Sequence, residues 1–336
     1  MNNATPYYAP PPRRRNILPF VILGVVCAII FIAILIGIVV FIFSGTEDSF
    51  NTPNDDYVGV LHIEGTISSQ STTGLLYTED AVYNQNYILS SIYEMKNDPN
   101  NCGILLYFNT PGGELYATNE VYEELLLYKE ETGRPIYAYF AEYACSGGYY
   151  LAMTADDIVA NPMSTTGSIG VTYGAHINIA GLCEKLGVGV EEITSGANKA
   201  MGSYFSPMTN EQKAIYQSQI AEYYEVFLQV VLQGRPSLMR EDLLPIADGR
   251  TFTARQALEA GLIDDIMRLD EYKAYIATYD FEDDVSFYDF FYVPAQSDLL
   301  ATLASAITKE NTPASELMAT LSVLKPLSGA LVYYAK

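Results

Sequence analysis

Basic residues are scarce. The 336-residue chain carries 18 lysines and arginines against 40 aspartates and glutamates, a net charge of −22. Three of the basic ones, Arg13, Arg14 and Arg15, stand together near the start. Nucleic-acid binding needs a basic face, so the composition argues against such a partner, and the acidity reads as a solvated surface. Cysteine is also sparse. Of four, Cys27 falls in a long apolar run, leaving Cys102, Cys145 and Cys183. No pair has metal-ligand spacing, and an odd number of thiols does not make a disulfide framework. No internal repeat is visible.

Long apolar stretches are equally rare, with one exception. Residues 17–43 hold no charged side chain, which exceeds the roughly 20 residues a membrane-spanning helix requires. The run ends in Ile38-Val39-Val40-Phe41-Ile42-Phe43 with no small-residue cleavage site, so a retained anchor is expected rather than a cleaved signal peptide. Arg13–Arg15 before it and Glu47-Asp48 after it place the N-terminus in the cytoplasm and the remainder outside, by the positive-inside rule. The expected organisation is a cytoplasmic tail (1–16), a transmembrane helix (17–43), a polar linker (44–56), a catalytic domain (57–280) and a C-terminal segment (281–336). The protein is thus expected in the cell membrane as a single-pass protein with an extracytoplasmic domain.

From Tyr57 the pattern alternates between strand and helix. Tyr57–Gly65 has strand composition, and Val82–Met95 carries apolar residues at helical spacing. Gly103–Phe108 is a continuous apolar run of the kind a strand covered on both faces shows. Asn109-Thr110-Pro111-Gly112-Gly113 breaks it, Glu114–Glu131 suits a helix, and Gly133-Arg134-Pro135 stops that helix. Pro135–Phe140 and Asp157–Ala160 suit further strands, as does Val188–Thr194. Helices are expected at Ile179–Leu186 and Glu211–Leu232, and another that Thr253 caps and Gly261 ends. This α/β alternation predicts parallel strands with right-handed crossovers. It sets the two glycine turns side by side at the strands' carboxyl ends, where open α/β folds build sites.

The second glycine turn is Ala144-Cys145-Ser146-Gly147-Gly148-Tyr149-Tyr150. Ser146 stands between an apolar strand and the helix that follows. The free backbone N–H groups of that helix start would meet an oxyanion forming beside it. Gly147 and Gly148 let a substrate backbone come close. A serine that merely caps the helix is the other reading of the same turn. As a nucleophile Ser146 needs a base. His62 lies in a strand and His176 follows a strand end, as structural histidines do. Cys145 reads as a small core residue. A lysine serves as base only where burial depresses its pKa. Lys129, Lys185 and Lys213 sit beside glutamates or on exposed helix faces. Lys199 stands in Ser195-Gly196-Ala197-Asn198-Lys199-Ala200-Met201-Gly202-Ser203, otherwise uncharged.

Together with Thr166-Gly167-Ser168-Ile169-Gly170-Val171 and Asp248–Asp264, these segments, in this order over residues 57–270, resemble the signal peptide peptidase A family of membrane-anchored serine proteases. The resemblance implies a Clp protease/crotonase-like fold of repeated β-β-α units with mostly parallel strands. It implies a Ser/Lys dyad of Ser146 and Lys199, with Ser168 orienting the lysine and no cofactor or metal. It maps the oxyanion hole to Gly113 and Gly147, beside Gly112 and Gly148 along the substrate. It further implies a homo-oligomeric ring in which adjacent protomers supply the serine and the lysine, acting on remnant signal peptides and other apolar peptides at the membrane. A general membrane-protein quality-control protease shares this chemistry, whereas a non-proteolytic scaffold needs neither Ser146 nor Lys199. A crotonase-like thioester enzyme would need an acyl-CoA outside the cell. The apolar tail 328–335 is of a composition that could fill the protein's own groove.

Overall fold

A computed structural model of the chain describes residues 52–69 and 83–292. The expected tail, transmembrane helix and most of the linker lie outside these, as do the C-terminal residues 293–336. Among the described residues no helix is long and apolar enough to cross a membrane.

The strands are β1 (Tyr57–Glu64), β2 (Asn101–Thr110), β3 (Ile136–Cys145), β4 (Asp157–Ala160), β5 (Thr165–Gly167), β6 (Thr251–Thr253), β7 (Asp265–Ile266) and β8 (Ser286–Phe290). The helices are α1 (Gln85–Asn97), α2 (Leu115–Thr132), α3 (Gly147–Ala152), α4 (Ala180–Leu186), α5 (Asn210–Gly234), α6 (Arg240–Leu243), α7 (Ala254–Glu259) and α8 (Leu269–Asp280). They form one mixed α/β unit around a mostly parallel sheet of order β6-β5-β3-β2-β1-β8. Among the described residues only β5 and β6 pair antiparallel. Strand β3 serves two neighbours: Tyr137–Phe140 pair with β4, and Tyr143–Cys145 pair with β5. The strand-and-helix order read from the sequence is therefore largely what folds.

Side chains of a strand alternate between faces, and the sheet is covered on both. On one face Leu61 and Ile63 of β1, Ile104, Leu106 and Phe108 of β2 and Ile136, Ala138 and Phe140 of β3 pack under α1, α2, α3 and α5. On the other, Val58, Val60, Leu105, Tyr137, Tyr139 and Val159 meet Tyr272 and Ile276 of α8. That double cover is why Gly103–Phe108 reads as an unbroken apolar run. Helix α2 ends at Gly133, whose φ of 66° fits a residue without a Cβ. Thr253 caps α7 with its hydroxyl accepting from the Gln256 N–H, and Gly261 follows with φ of 71°.

Two expectations change. The aromatic patch after residue 286 is not a separate segment: β8 pairs parallel to β1 from Tyr57↔Ser286 to Leu61↔Phe290, so the sheet runs past the boundary expected at residue 280. Val188–Thr194 is not a strand. No residue from Gly170 to Val226 is buried, so this stretch has no sheet beside it to complete its backbone hydrogen bonds. It belongs to an arm that carries α4, whose residues are all at least partly exposed, and the first half of α5.

The end of α5 is fixed by one ion pair. Arg235 donates from Nη1 and Nη2 to the two carboxylate oxygens of Asp264, both at 2.7 Å, and from Nε to the Gly261 carbonyl at 3.0 Å. Burial alone would raise the Asp264 pKa, but the guanidinium and the Ile158 N–H hold it below the usual carboxylate value. Arg235→Ala would leave a half-buried carboxylate unpaired and is expected to cost about 3 kcal/mol, the low end for a broken buried pair because Asp264 keeps some solvent. The stabilisation that the depressed pKa represents is present above the unfolded carboxyl value of roughly 3.9 and is lost as pH falls through the lower folded value. Urea midpoints at pH 7 and pH 3 check both: the gap between wild type and Arg235→Ala should narrow in acid.

Candidate active site

Register brings three turns together. Ala144 lies opposite Thr110 on one side and Thr166 on the other, so the chain leaves β2, β3 and β5 at neighbouring points. The expectation that the glycine turns are neighbours holds. The Ser146 N–H also donates to the Gly167 carbonyl at 2.8 Å, joining the nucleophile's turn to that of Ser168.

Ser146 has φ of 54° and ψ of −113°, a conformation that L-residues rarely adopt. Strain of this kind costs on the order of 1–3 kcal/mol and persists only where the surroundings enforce it. Here the Gly167 carbonyl fixes the Ser146 N–H, and the Tyr150 N–H donates to the Ser146 carbonyl at 2.9 Å. Helix α3 behind it is buried throughout. Tyr149 donates to the Leu262 carbonyl at 2.8 Å and Tyr150 to Asn119 Oδ1 at 2.9 Å, while the Tyr150 ring sits edge-on between Tyr122 and Phe227. The hydroxyl this scaffold presents is fully buried and has no hydrogen-bond partner among the described residues. Nor does it cap α3. The capping reading of Ser146 is thereby removed.

Donors stand beside that hydroxyl. Gly147 is the first residue of α3, so its N–H has no carbonyl within the helix to meet. A Cβ on Gly147 would lie 2.7 Å from Thr118 Oγ1 and 3.3 Å from the Gly113 nitrogen, so the two expected oxyanion glycines share one small space. Ile67 pairs with Gly113 in an isolated parallel bridge, donating to the Gly112 carbonyl at 3.0 Å and accepting from the Glu114 N–H at 2.8 Å. That pairing does not use the Gly113 N–H. A Cβ on Gly113 would collide with the Ile67 backbone, and one on Gly148 would lie 2.6 Å from Thr110 Cγ2, so glycine is required at both. Gly112 has φ of 99°, again glycine's region. Ser68 and Ser69 are tied to Glu114, the Ser69 hydroxyl donating to its carboxylate at 2.7 Å. Ile67 and its bridge were invisible in the sequence, where they fall in an unremarkable polar loop.

Ser168 is buried, with φ of 52°, and its N–H donates to the Arg250 carbonyl at 2.8 Å. Across that bond, Arg250 holds the Asp248 carboxyl at about 2 through paired hydrogen bonds. Cys145 is buried, and desolvation pushes its thiol up to about 12, so it is no thiolate at neutral pH and fits the core role. His62 binds Glu64 through Nδ1 at 2.8 Å and Asp289 through Nε2 at 3.0 Å, tying β1 to β8. His176 lies in the arm, stacked on Tyr204. Lys129 pairs with Asp156 at 2.5 Å.

Lys199 is placed differently from expectation. Its small, uncharged neighbours suggest a sheltered site, yet in the single chain it is exposed on the arm. Since Ser146 Oγ meets no partner, the ammonium is not within hydrogen-bond reach of it. One chain thus gathers Ser146, Ser168, Gly112, Gly113, Gly147 and Gly148, and leaves Lys199 apart. The sequence held no signal for this: eight uncharged residues around a lysine look alike whether a partner or water surrounds them.

A strained, buried serine hydroxyl flanked by free backbone amides at a helix start defines a serine-hydrolase type of site. Residues 128–279 match peptidase family S49, a span that includes Ser146, Ser168 and Lys199. A putative signal peptide peptidase of Enterococcus faecium is 35% identical over 206 residues, 61% of this chain and 58% of that protein. A putative protease of Methanocaldococcus jannaschii is 36% identical over 182 residues, 54% of this chain and 57% of that one. A solved structure of a membrane-bound stomatin-specific protease with a substrate peptide has a TM-score of 0.45 and 17% identity, covering 76% of this chain and 100% of that one. The match to each of the two sequence relatives spans less than two thirds of its length. Over this region the chain is similar to peptidase family S49 and to these proteases.

Proposed function

We propose that the protein is a membrane-anchored serine endopeptidase in which Ser146 attacks the peptide carbonyl, Lys199 of a neighbouring copy takes its proton, and the Gly113 and Gly147 amides hold the oxyanion. The observation that carries this reading is the Ser146 hydroxyl itself: buried, strained, without a hydrogen-bond partner among the described residues, and set beside Gly113 and Gly147. Ser168, one residue beyond the carbonyl that fixes Ser146, would orient the incoming lysine.

Several features support the intersubunit base. A lysine needs burial to act as a base, and Lys199 is exposed in the single chain. The arm that carries it also exposes Leu186 at 68%, Leu182 at 54% and Ile193 at 97%, apolar surface of the sort a second copy covers. A closed ring of head-to-tail contacts would set each arm against the next protomer's Ser146. The 27-residue apolar run would tether such a ring to the bilayer, and remnant signal peptides, apolar and membrane-borne, are the substrate class this arrangement suits. Ser328–Ala335, outside the described residues, remains a candidate autoinhibitory occupant of the groove.

Two quenched peptides test the substrate reading: an apolar signal-peptide core and a polar peptide of equal length, presented to the full-length protein in membranes. The apolar peptide should be cut at least about tenfold faster, as several buried methylenes in a subsite imply. Equal rates would favour a general quality-control protease of the same chemistry.

A further inference from the structure

Thr110 is fully buried at the end of β2, where nothing in the reaction calls on it directly. Its hydroxyl donates to the Gly65 carbonyl at 2.5 Å and accepts from the Gly112 N–H at 3.1 Å. Its methyl faces α3, where a Cβ on Gly148 would lie 2.6 Å from Thr110 Cγ2. The side chain therefore touches the end of β1, the Pro-Gly-Gly turn and the helix that carries Ser146, and its rotamer is fixed by having a different partner on each branch.

The consequence follows from peptide planarity. Gly112 holds φ of 99° with its N–H on Thr110 Oγ1 and its carbonyl on the Ile67 N–H at 3.0 Å. In a trans peptide the carbonyl and the next N–H point in opposite directions. With the Gly112 carbonyl aimed at Ile67, the Gly113 N–H is aimed away from the Ile67 backbone, and a Cβ on Gly147 would lie 3.3 Å from its nitrogen. Ile67 holds the carbonyl of this peptide unit, and Thr110 holds the N–H of the preceding one, so the two fix Gly112 from both sides of its Cα. Without the hydroxyl, the Gly112 N–H would lose its acceptor, and a glycine with wide conformational freedom could rotate, turning the Gly113 N–H off the oxyanion.

We propose that the Thr110 hydroxyl is a positioning group for the oxyanion hole, setting the direction of the Gly113 N–H through Gly112. This rests on the reading of Ser146 as nucleophile. Thr110→Val keeps the shape and the methyl against Gly148 and removes the hydroxyl; Thr110→Ser does the reverse. In the full-length protein, Thr110→Val should lower kcat on a quenched apolar peptide by roughly 10- to 100-fold, as a misdirected catalytic group does, with KM within about twofold because ground-state binding does not use the oxyanion hole. Affinity for a peptide boronic acid, whose tetrahedral adduct occupies the hole, should fall in step with kcat, and Thr110→Ser should stay within about threefold of wild type. A purely structural threonine would not change boronate affinity relative to KM. Should Thr110→Val fail to fold, Thr110→Ser against Thr110→Ala isolates the hydroxyl, and at least about a tenfold advantage for serine is expected. Wild-type boronate affinity in Thr110→Val, or equal activities in the serine and alanine variants, would overturn the proposal. Hydrolysis that persists in Ser146→Ala would instead remove the nucleophile reading, and this proposal with it.

Discussion

Ser146→Ala is expected to lower peptide hydrolysis by at least about 10⁴-fold while the thermal midpoint stays level or rises. The activity loss follows from removing the nucleophile: in comparable enzymes what remains comes from binding and the oxyanion hole alone. The stability result is the more telling half. Most substitutions of a fully buried residue destabilise. Ser146 differs because its hydroxyl is buried with no partner among the described residues, and burying an unpaired hydroxyl costs on the order of 1–3 kcal/mol. Alanine removes that cost and leaves the strained backbone as it was. Ser146→Gly should go further, since glycine accepts φ of 54° without penalty. Activity and thermal midpoint measured on the three proteins check the account: both variants should be inactive and at least as stable as wild type. Unfolding of Ser146→Ala well below wild type would mean that the hydroxyl has a structural partner.

Lys199→Ala should be nearly as damaging, at about 10³-fold or more, because a serine hydroxyl without a base is a poor nucleophile. Lys199→Arg should not restore activity, since a guanidinium does not give up its proton at any working pH. Neither change should alter the stability of the isolated chain, because the side chain is exposed there. Their effect should appear only as activity. Dilution should mimic them: if the base comes from a second copy, specific activity falls as protein concentration drops below the assembly's dissociation range. Constant specific activity on dilution to the monomer would place the base within one chain.

What the sequence revealed, and what it withheld, divides along a physical line. Strands covered on both faces leave an unbroken apolar run, as at Gly103–Phe108, and helices leave caps, as at Thr253 and Gly133; these signals are local and were legible. The neighbourhood of the glycine turns followed from parallel topology, and the register Thr110↔Ala144↔Thr166 realises it. The Ile67 bridge to Gly113 was not legible, because an isolated bridge joins two residues through backbone atoms and leaves no mark on side-chain choice. The arm misled for a related reason. Val188, Val190 and Ile193 have the composition of a strand, but a strand exists only where another backbone completes its hydrogen bonds, and among the described residues none does. In the proposed assembly the same residues would be surface that a second copy covers. Strand β8 was hidden by the aromatic density at Phe287–Phe291, which reads equally as a surface patch until its pairing with β1 is seen.

The measurement that tests the central claim most directly is complementation between Ser146→Ala and Lys199→Ala. Each protein alone should be inactive. Mixed at equal amounts, dissociated and reassembled, they should recover about a quarter of the wild-type rate, since random neighbours in a ring pair an intact serine with an intact lysine about one time in four. Mixed assemblies that contain both chains and remain inactive would contradict a dyad built from two copies.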